Sequence, residues 1–281
     1  MTFGINTFLF TSPFTNESVH LFPKFKAWGF DTVEIALEDA SHIDPEFIKT
    51  KLRENGLQCK TICAVMGADR DLRGTPEQQE TSKNYLKSVM DVMVILGANT
   101  LAGPLYSAVG RAEAEEEEDY KKQWQTVVSH LKDLAVYAEA RNLKLAIEPL
   151  NRFETDFINT VDQSLQLIRD IASPAVYLHY DTFHMNIEEK DQPKAILRAG
   201  SLFGHLHACG TDRGTPGKDH TDWVGIAKAL KAIDYNGDVV IESFTKDVKV
   251  IARAAAIWRK IESSQDVIAE EGVKFLRSVL T

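Results

Sequence analysis

The sequence predicts an α/β chain folded as a (β/α)8 barrel, a single domain spanning residues 1–281 with an additional C-terminal helix. Three observations carry that reading. Eight short apolar or β-branched runs alternate with longer helical patterns. Several of the runs are apolar on both faces, as parallel strands covered by helices must be. The 281-residue length also sits near the roughly 250 residues typical of such barrels.

The strand candidates are Phe3–Thr7, Thr32–Ala36, Gln58–Cys63, Thr100–Ala102, Leu143–Glu148, Val176–Asp181, Leu202–His207 and Asp238–Glu242. Between them the sequence predicts helices over Ser18–Trp28, Pro45–Asn55, Pro76–Leu96, Asp119–Arg141, Val161–Ile171, Trp223–Ile233 and Thr245–Lys260, and the last twenty residues add an amphipathic helix. Gly29, Gly56 and Gly97 follow three of these helices, where a left-handed residue closes the last turn. A doubly wound sheet is the main competitor, but it would place a G-x-G-x-x-G turn after the first strand. Here that strand runs into "NTFLFTSPFTNES", which has no glycine. The acidic stretch "AEAEEEEDYKK" (112–122) reads as a solvated helix start with acids at the positive end of the dipole.

With 32 basic and 41 acidic side chains the net charge is −9. Such a surface does not neutralise phosphates, so nucleic acid and anionic membranes are excluded as expected partners. No apolar stretch approaches the roughly 18–20 residues that span a bilayer. The N-terminus lacks a basic region and a small-residue cleavage pattern, so no signal peptide is expected. Cys59, Cys63 and Cys209 are odd in number and unevenly spaced, which fits a reducing cytoplasm better than a disulfide framework or zinc ribbon.

A barrel of this kind places its chemistry at the C-terminal ends of the strands. The fifth predicted strand ends in Glu148, the sixth in Asp181, the seventh in His207 and the eighth in Glu242, at spacings of 33, 26 and 35 residues. Each spacing is about one βα unit. Any one of these residues could be a helix cap or a loop ion pair. Together they aim three carboxylates and an imidazole at one point, where the carboxylates repel unless a cation lies between them. Three oxygens and one nitrogen suit Mn2+, Mg2+ or Co2+, whereas a structural zinc site would use cysteine and more histidine.

Glu154, His184 and Arg213 fall in the loops beyond these strand ends, where substrate contacts belong. In "ACGTDRGTPGKDHTDW", Asp222 reads as the N-cap of the helix near Trp223, with His220 as a further capping residue. His179 and His205 precede Asp181 and His207 by two residues and therefore share the inward face lower in the barrel, as satisfied core histidines. Arg152 and Asp156 are ordinary candidates for a supporting ion pair.

The stretches "EPLNRFETD", "HYDTFHMNIEE", "HLHACGTDRGTPG" and "VVIESF" resemble the signature segments of ketose 3-epimerases, the D-tagatose, D-psicose and L-ribulose 3-epimerase group of xylose-isomerase-like barrels. The resemblance spans the chain, with seven polar positions matching in order and spacing. It implies Mn2+, with Co2+ or Mg2+ as alternatives, bound by Glu148, Asp181, His207 and Glu242. It also implies substrate contacts from Glu154, His184 and Arg213, a ketose substrate, and a homodimer or homotetramer. Inverting the carbon beside a ketone through a cis-enediolate requires one base per face, the role that falls to Glu148 and Glu242. Phe8, Phe10, Phe14 and Cys63–Met66 are expected to shape the far end of the pocket, though core and dimer-contact roles fit the aromatics equally. The preferred ketose stays open.

Three other functions are separable from this one. Aldose–ketose or hydroxypyruvate-type isomerisation on the same site would move hydrogen between C1 and C2. A metal-dependent hydrolase would need a multi-zinc cluster and a basic groove. A non-catalytic sugar-binding barrel would keep its ligand when Glu242 is neutralised.

Overall fold

The computed structural model describes residues 1–113 and 116–281. Its eight strands are β1 Thr2–Asn6, β2 Thr32–Leu37, β3 Thr61–Ala64, β4 Thr100–Gly103, β5 Lys144–Ile147, β6 Val176–Asp181, β7 Phe203–Ala208 and β8 Asp238–Ile241. All pair in parallel in chain order, and β1 closes on β8 with Phe3 opposite Val239. The predicted (β/α)8 barrel is the fold that forms. Among the described residues no helix is long and apolar enough to cross a membrane.

Ten helices surround the strands among the described residues: α1 Phe22–Ala27, α2 Pro45–Glu54, α3 Pro76–Leu96, α4 Glu117–Glu139, α5 Val161–Ile171, α6 Thr182–Glu188, α7 Gln192–Ala199, α8 Trp223–Ala232, α9 Lys249–Ala254 and α10 Gln265–Leu280. Their starts follow from local chemistry. Thr75 and Thr160 form capping boxes with Gln78 and Gln163, and Asp222 accepts from the Gly225 N–H at the head of α8. Gly29, Gly56 and Gly97 all take positive φ, as their positions after helices require. Glu117, Glu118 and Asp119 lie in the first turn of α4. Residues 114 and 115 of the acidic stretch lie outside the described residues.

Three departures from the sequence reading have physical causes. The helix expected over Ser18–Trp28 divides into a 3-10 helix, Asn16–Leu21, and α1. Pro23 has no N–H to bond back into the preceding turn, so it stands in the first turn of a new helix. The helix expected over Thr245–Lys260 is reduced to α9, because Ala256 adopts a φ of +55°. Ile251, Ala252 and Ile257 there pack against Phe8, Cys63 and Phe244 over the barrel mouth instead of against its side. The β6–β7 connection holds two short helices, α6 and α7, that the sequence reading did not identify. Asp181 and Asp191 cap them.

Candidate active site

The site forms where β5 to β8 end. A register shift between Leu178 and His179 sets β6 so that His179 lies opposite His205 and Asp181 opposite His207. Side chains alternate along strands, so these four share the inner face, with Asp181 and His207 nearer the mouth. Glu148 and Glu242 each follow the last residue of their strand, and Gly103 accepts the Glu148 backbone N–H at 3.1 Å. All four strand-end groups are buried: Asp181 and His207 at 0%, Glu148 at 5% and Glu242 at 7% exposure.

One ligand atom from each of Glu148, Asp181, His207 and Glu242 lies within 4.8 Å of the others. Burying three carboxylates this closely is costly without cations among them. Arg213 supplies one: its Nη1 lies 2.6 Å from Asp181 Oδ2 and 3.1 Å from Glu242 Oε2. The guanidinium stacks between Phe183 and Phe244, with ring centres 4.1 and 4.8 Å away. His207 faces Glu242 through Nδ1 at 3.3 Å.

The charges divide unequally. Burial and the neighbouring Glu242 push the Glu148 carboxyl well above its ordinary range. Burial also pushes Glu242 up, but His207 and Arg213 outweigh it and hold that carboxyl low. Asp181 is raised by burial in spite of Arg213. Burial disfavours the His207 cation, yet Glu34 and Glu242 together hold it well above its usual value.

The donor set is three carboxylates and one imidazole. Glu148 Oε1 and His207 Nδ1 have no hydrogen-bond partner among the described residues. Unmade bonds on buried ligand atoms converging with two further carboxylates fit a hard or borderline divalent cation. Asp181 also has the bland role available to a strand-end acid: its Oδ1 accepts the Phe183 N–H at 2.7 Å and caps α6. One carboxylate thus serves the helix with one oxygen and the cluster with the other.

The loop residues converge on the same place. The Asn151 N–H donates to His184 Nδ1 at 3.1 Å, and the Asn151 amide donates to Glu154 at 2.8 Å. Nε2 of the same ring faces the Arg213 Nη2 donor at 2.9 Å and lies 3.7 Å from Glu148 and 3.8 Å from Asp181, so donors approach both ring nitrogens. Burial, then Arg213, holds His184 well below its usual pKa, so the ring is neutral. Burial raises Glu154 as well.

Several secondary expectations need correction. Arg152 and Asp156 do not pair with each other: Arg152 binds Glu188 at 2.9 Å and Asp156 binds Arg73 at 2.7 Å. The loop between them turns back on itself, Glu154 N–H to Asn151 O at 3.0 Å, and sends the two side chains to different elements. Asp222 caps α8, while His220 is exposed and takes no part in the cap. His205 is a core histidine whose Nε2 lies 2.7 Å from Glu34 Oε2 as an ion-pair contact, but neither atom makes a hydrogen bond among the described residues. His179 is buried but unsatisfied: neither ring nitrogen has a hydrogen-bond partner among the described residues. The three early phenylalanines separate. Phe14 stacks on Phe22, Phe10 packs on Phe25 and Trp28, and Phe8 alone joins Cys63 and Phe244 at the barrel mouth.

Three residues of the site were missed in the sequence. Glu34 lies inside β2, in contact with His205 and His207. Asn6 ends β1, and its amide reaches Glu34 at 2.7 Å and Glu242 at 3.4 Å. Asn151 orients both His184 and Glu154. The available signal was the lone charge in "TVEIAL", a segment otherwise built for the interior.

Residues 22–279 match the model of the family described as Xylose isomerase-like TIM barrel. A probable ketose 3-epimerase of Synechocystis sp. is 37% identical over 98% of this chain and 95% of its own length. The chain belongs to the ketose 3-epimerases of the xylose isomerase-like barrels. It is accordingly an epimerase, an enzyme of the isomerase class. An L-ribulose 3-epimerase of Methylomonas sp. is 30% identical to this epimerase over 89% of this chain and 87% of the relative. The crystal structure of D-allulose 3-epimerase from Methylomonas sp. in complex with D-allulose superposes with a TM-score of 0.92 at 28% identity, covering 99% and 97% of the two chains.

Proposed function

We propose that this epimerase is a divalent-cation-dependent ketose 3-epimerase, interconverting C3 epimers of free ketohexoses or ketopentoses. The supporting observation is the convergence of Glu148 and Glu242, from opposite sides of the β6–β7 pair, on one buried point. Relatives named for activity on ribulose and allulose support the substrate class.

Epimerisation takes a proton from C3 on one face and returns one on the other. Glu242, in contact with His207 and Arg213, is the base that removes the proton from one face. Glu148, on the opposite side of the cluster, is the group that returns a proton to the other face. The reverse reaction uses the same two carboxylates with their roles exchanged. Glu154 and His184, fixed together by Asn151, hold the O1 end of the sugar. Arg213 reaches the C2 oxygen from its place between two aromatic rings.

A positioned acid or base contributes about 10²–10⁴-fold, roughly 2.7–5.4 kcal/mol of the about 8–23 kcal/mol that enzymes supply. A divalent ion, Mn2+ with Co2+ or Mg2+ as alternatives, held by Glu148, Asp181, His207 and Glu242, would supply Lewis-acid stabilisation of the charge that develops on the ketose oxygens. The three cysteines are free and buried, which fits a cytoplasmic enzyme, and a homodimer or homotetramer completes the proposal. The test is a panel of ketohexoses and ketopentoses incubated with the Mn2+-loaded protein, with products identified. C3 epimers are expected. Aldoses as the sole products would overturn the assignment in favour of aldose–ketose isomerisation.

A further inference from the structure

Glu34 is 1% exposed in the middle of β2, a strand whose six residues are all buried. A carboxylate there costs several kcal/mol unless it is fully paired. Its pairing is specific. Oε1 lies 2.7 Å from His207 Nε2, Oε2 lies 2.7 Å from His205 Nε2, and the Asn6 amide donates to Oε1 at 2.7 Å. Oε1 is held by hydrogen bonds from both His207 and Asn6, and His205 stands in ion-pair contact with Oε2, so the carboxylate is fixed in place.

We infer that Glu34 is a positioning residue that fixes His207 in the tautomer carrying its proton on Nε2, leaving Nδ1 free to ligate a divalent cation. An ionised carboxylate only accepts, so the imidazole nitrogen facing it must hold the hydrogen. The other nitrogen of the same ring is the one that faces Glu242, at 3.3 Å, inside the four-residue cluster. A carboxylate behind a ligating histidine orients the ring and raises its basicity. His205 is then not a ligand but the brace for the second oxygen of Glu34. Asn6 ties the brace to the cluster itself, since its amide spans Glu34 and Glu242. This assignment rests on reading the cluster as a metal site, and its test separates the two claims.

Glu34→Gln keeps the volume but offers one imidazole an acceptor and the other a donor, so one of the two rings must change tautomer. Isothermal titration of the metal-stripped protein with Mn2+ should show binding weakened about 10–100-fold in the variant. Two-bond 1H–15N spectra of 15N-histidine-labelled, Mg2+-loaded wild type should show His207 protonated on Nε2 alone, a readout that holds even if the variant does not fold. Unchanged Mn2+ affinity in Glu34→Gln, or a proton on Nδ1 of His207 in the wild type, overturns the role of Glu34 and leaves the metal site standing. A wild type that binds no divalent ion overturns both.

Discussion

Replacing Arg213 with Met removes the guanidinium that, among the described residues, contacts the carboxylate cluster, while keeping an unbranched side chain between Phe183 and Phe244. The buried cation bridges Asp181 at 2.6 Å and Glu242 at 3.1 Å and is itself 3% exposed. Taking one partner from a buried pair costs about 3–5 kcal/mol, because the remaining charge is left desolvated. Loss of the two desolvated ring contacts adds up to about 2 kcal/mol each, and part of this survives as sulfur–aromatic contact. Protonation of Glu148 and Asp181, both already raised by burial, offsets some of the loss. The expected destabilisation of the metal-free protein is therefore about 3–5 kcal/mol, read by urea unfolding at pH 7 in chelator. With saturating Mn2+ the difference from wild type should shrink by at least about 1 kcal/mol, because an ion that binds more tightly in the absence of Arg213 stabilises the variant more. A loss below about 1 kcal/mol in chelator, or the same loss with and without Mn2+, would refute the picture of Arg213 as the counter-charge of this cluster.

Three further outcomes are expected. Asp156→Asn should destabilise the protein by about 3 kcal/mol, the low end for a buried pair, since Arg73 keeps Gln123 and Ser107. Burial raises the Asp156 carboxyl, but the Arg73 pair outweighs it and the folded-state pKa is depressed. Its contribution is then full above the unfolded value near about 3.9 and is lost as pH falls through the folded value, so the gap between variant and wild type should close on acidification. A gap that widens in acid contradicts the assignment. Burial raises the thiols of Cys59, Cys63 and Cys209, so a thiol reagent at pH 8 should label none in the native protein and all three in denaturant; rapid native labelling would place a thiol at the surface. Glu154→Gln should leave unfolding unchanged and lower kcat/KM about 10–150-fold, the equivalent of about 1.5–3 kcal/mol for a hydrogen bond to a charged group; unaltered kinetics would remove Glu154 from the substrate.

The barrel and the convergence of the cluster were legible because each rests on short-range patterns, repeated eight times for the strands and four times for the charges that close them. Apolar runs mark strands, and an ionisable residue closing four successive runs marks one point in space once the strands are parallel. Glu34 escaped because attention to strand ends passes over a charge inside a strand, whose meaning depends on two histidines about 170 residues away. Asn6 and Asn151 carry no charge, Asn6 closing a strand and Asn151 lying in a loop where asparagine is common, so nothing local distinguishes them. The divided Ser18–Trp28 helix was readable in Pro23. The shortened Thr245–Lys260 helix was not, because apolar residues spaced for a helix serve equally well when the segment folds over the mouth of a barrel.

The central claim is that Glu148 and Glu242 exchange the C3 proton of a ketose from opposite faces. The most direct measurement is deuterium incorporation during turnover in D2O by the Mn2+-loaded protein, read by position in the recovered sugar, for wild type and Glu242→Gln. Deuterium is expected at C3 for the wild type, and none for the variant even though it still binds the sugar. Incorporation confined to C1 or C2, or turnover retained by Glu242→Gln, would contradict it.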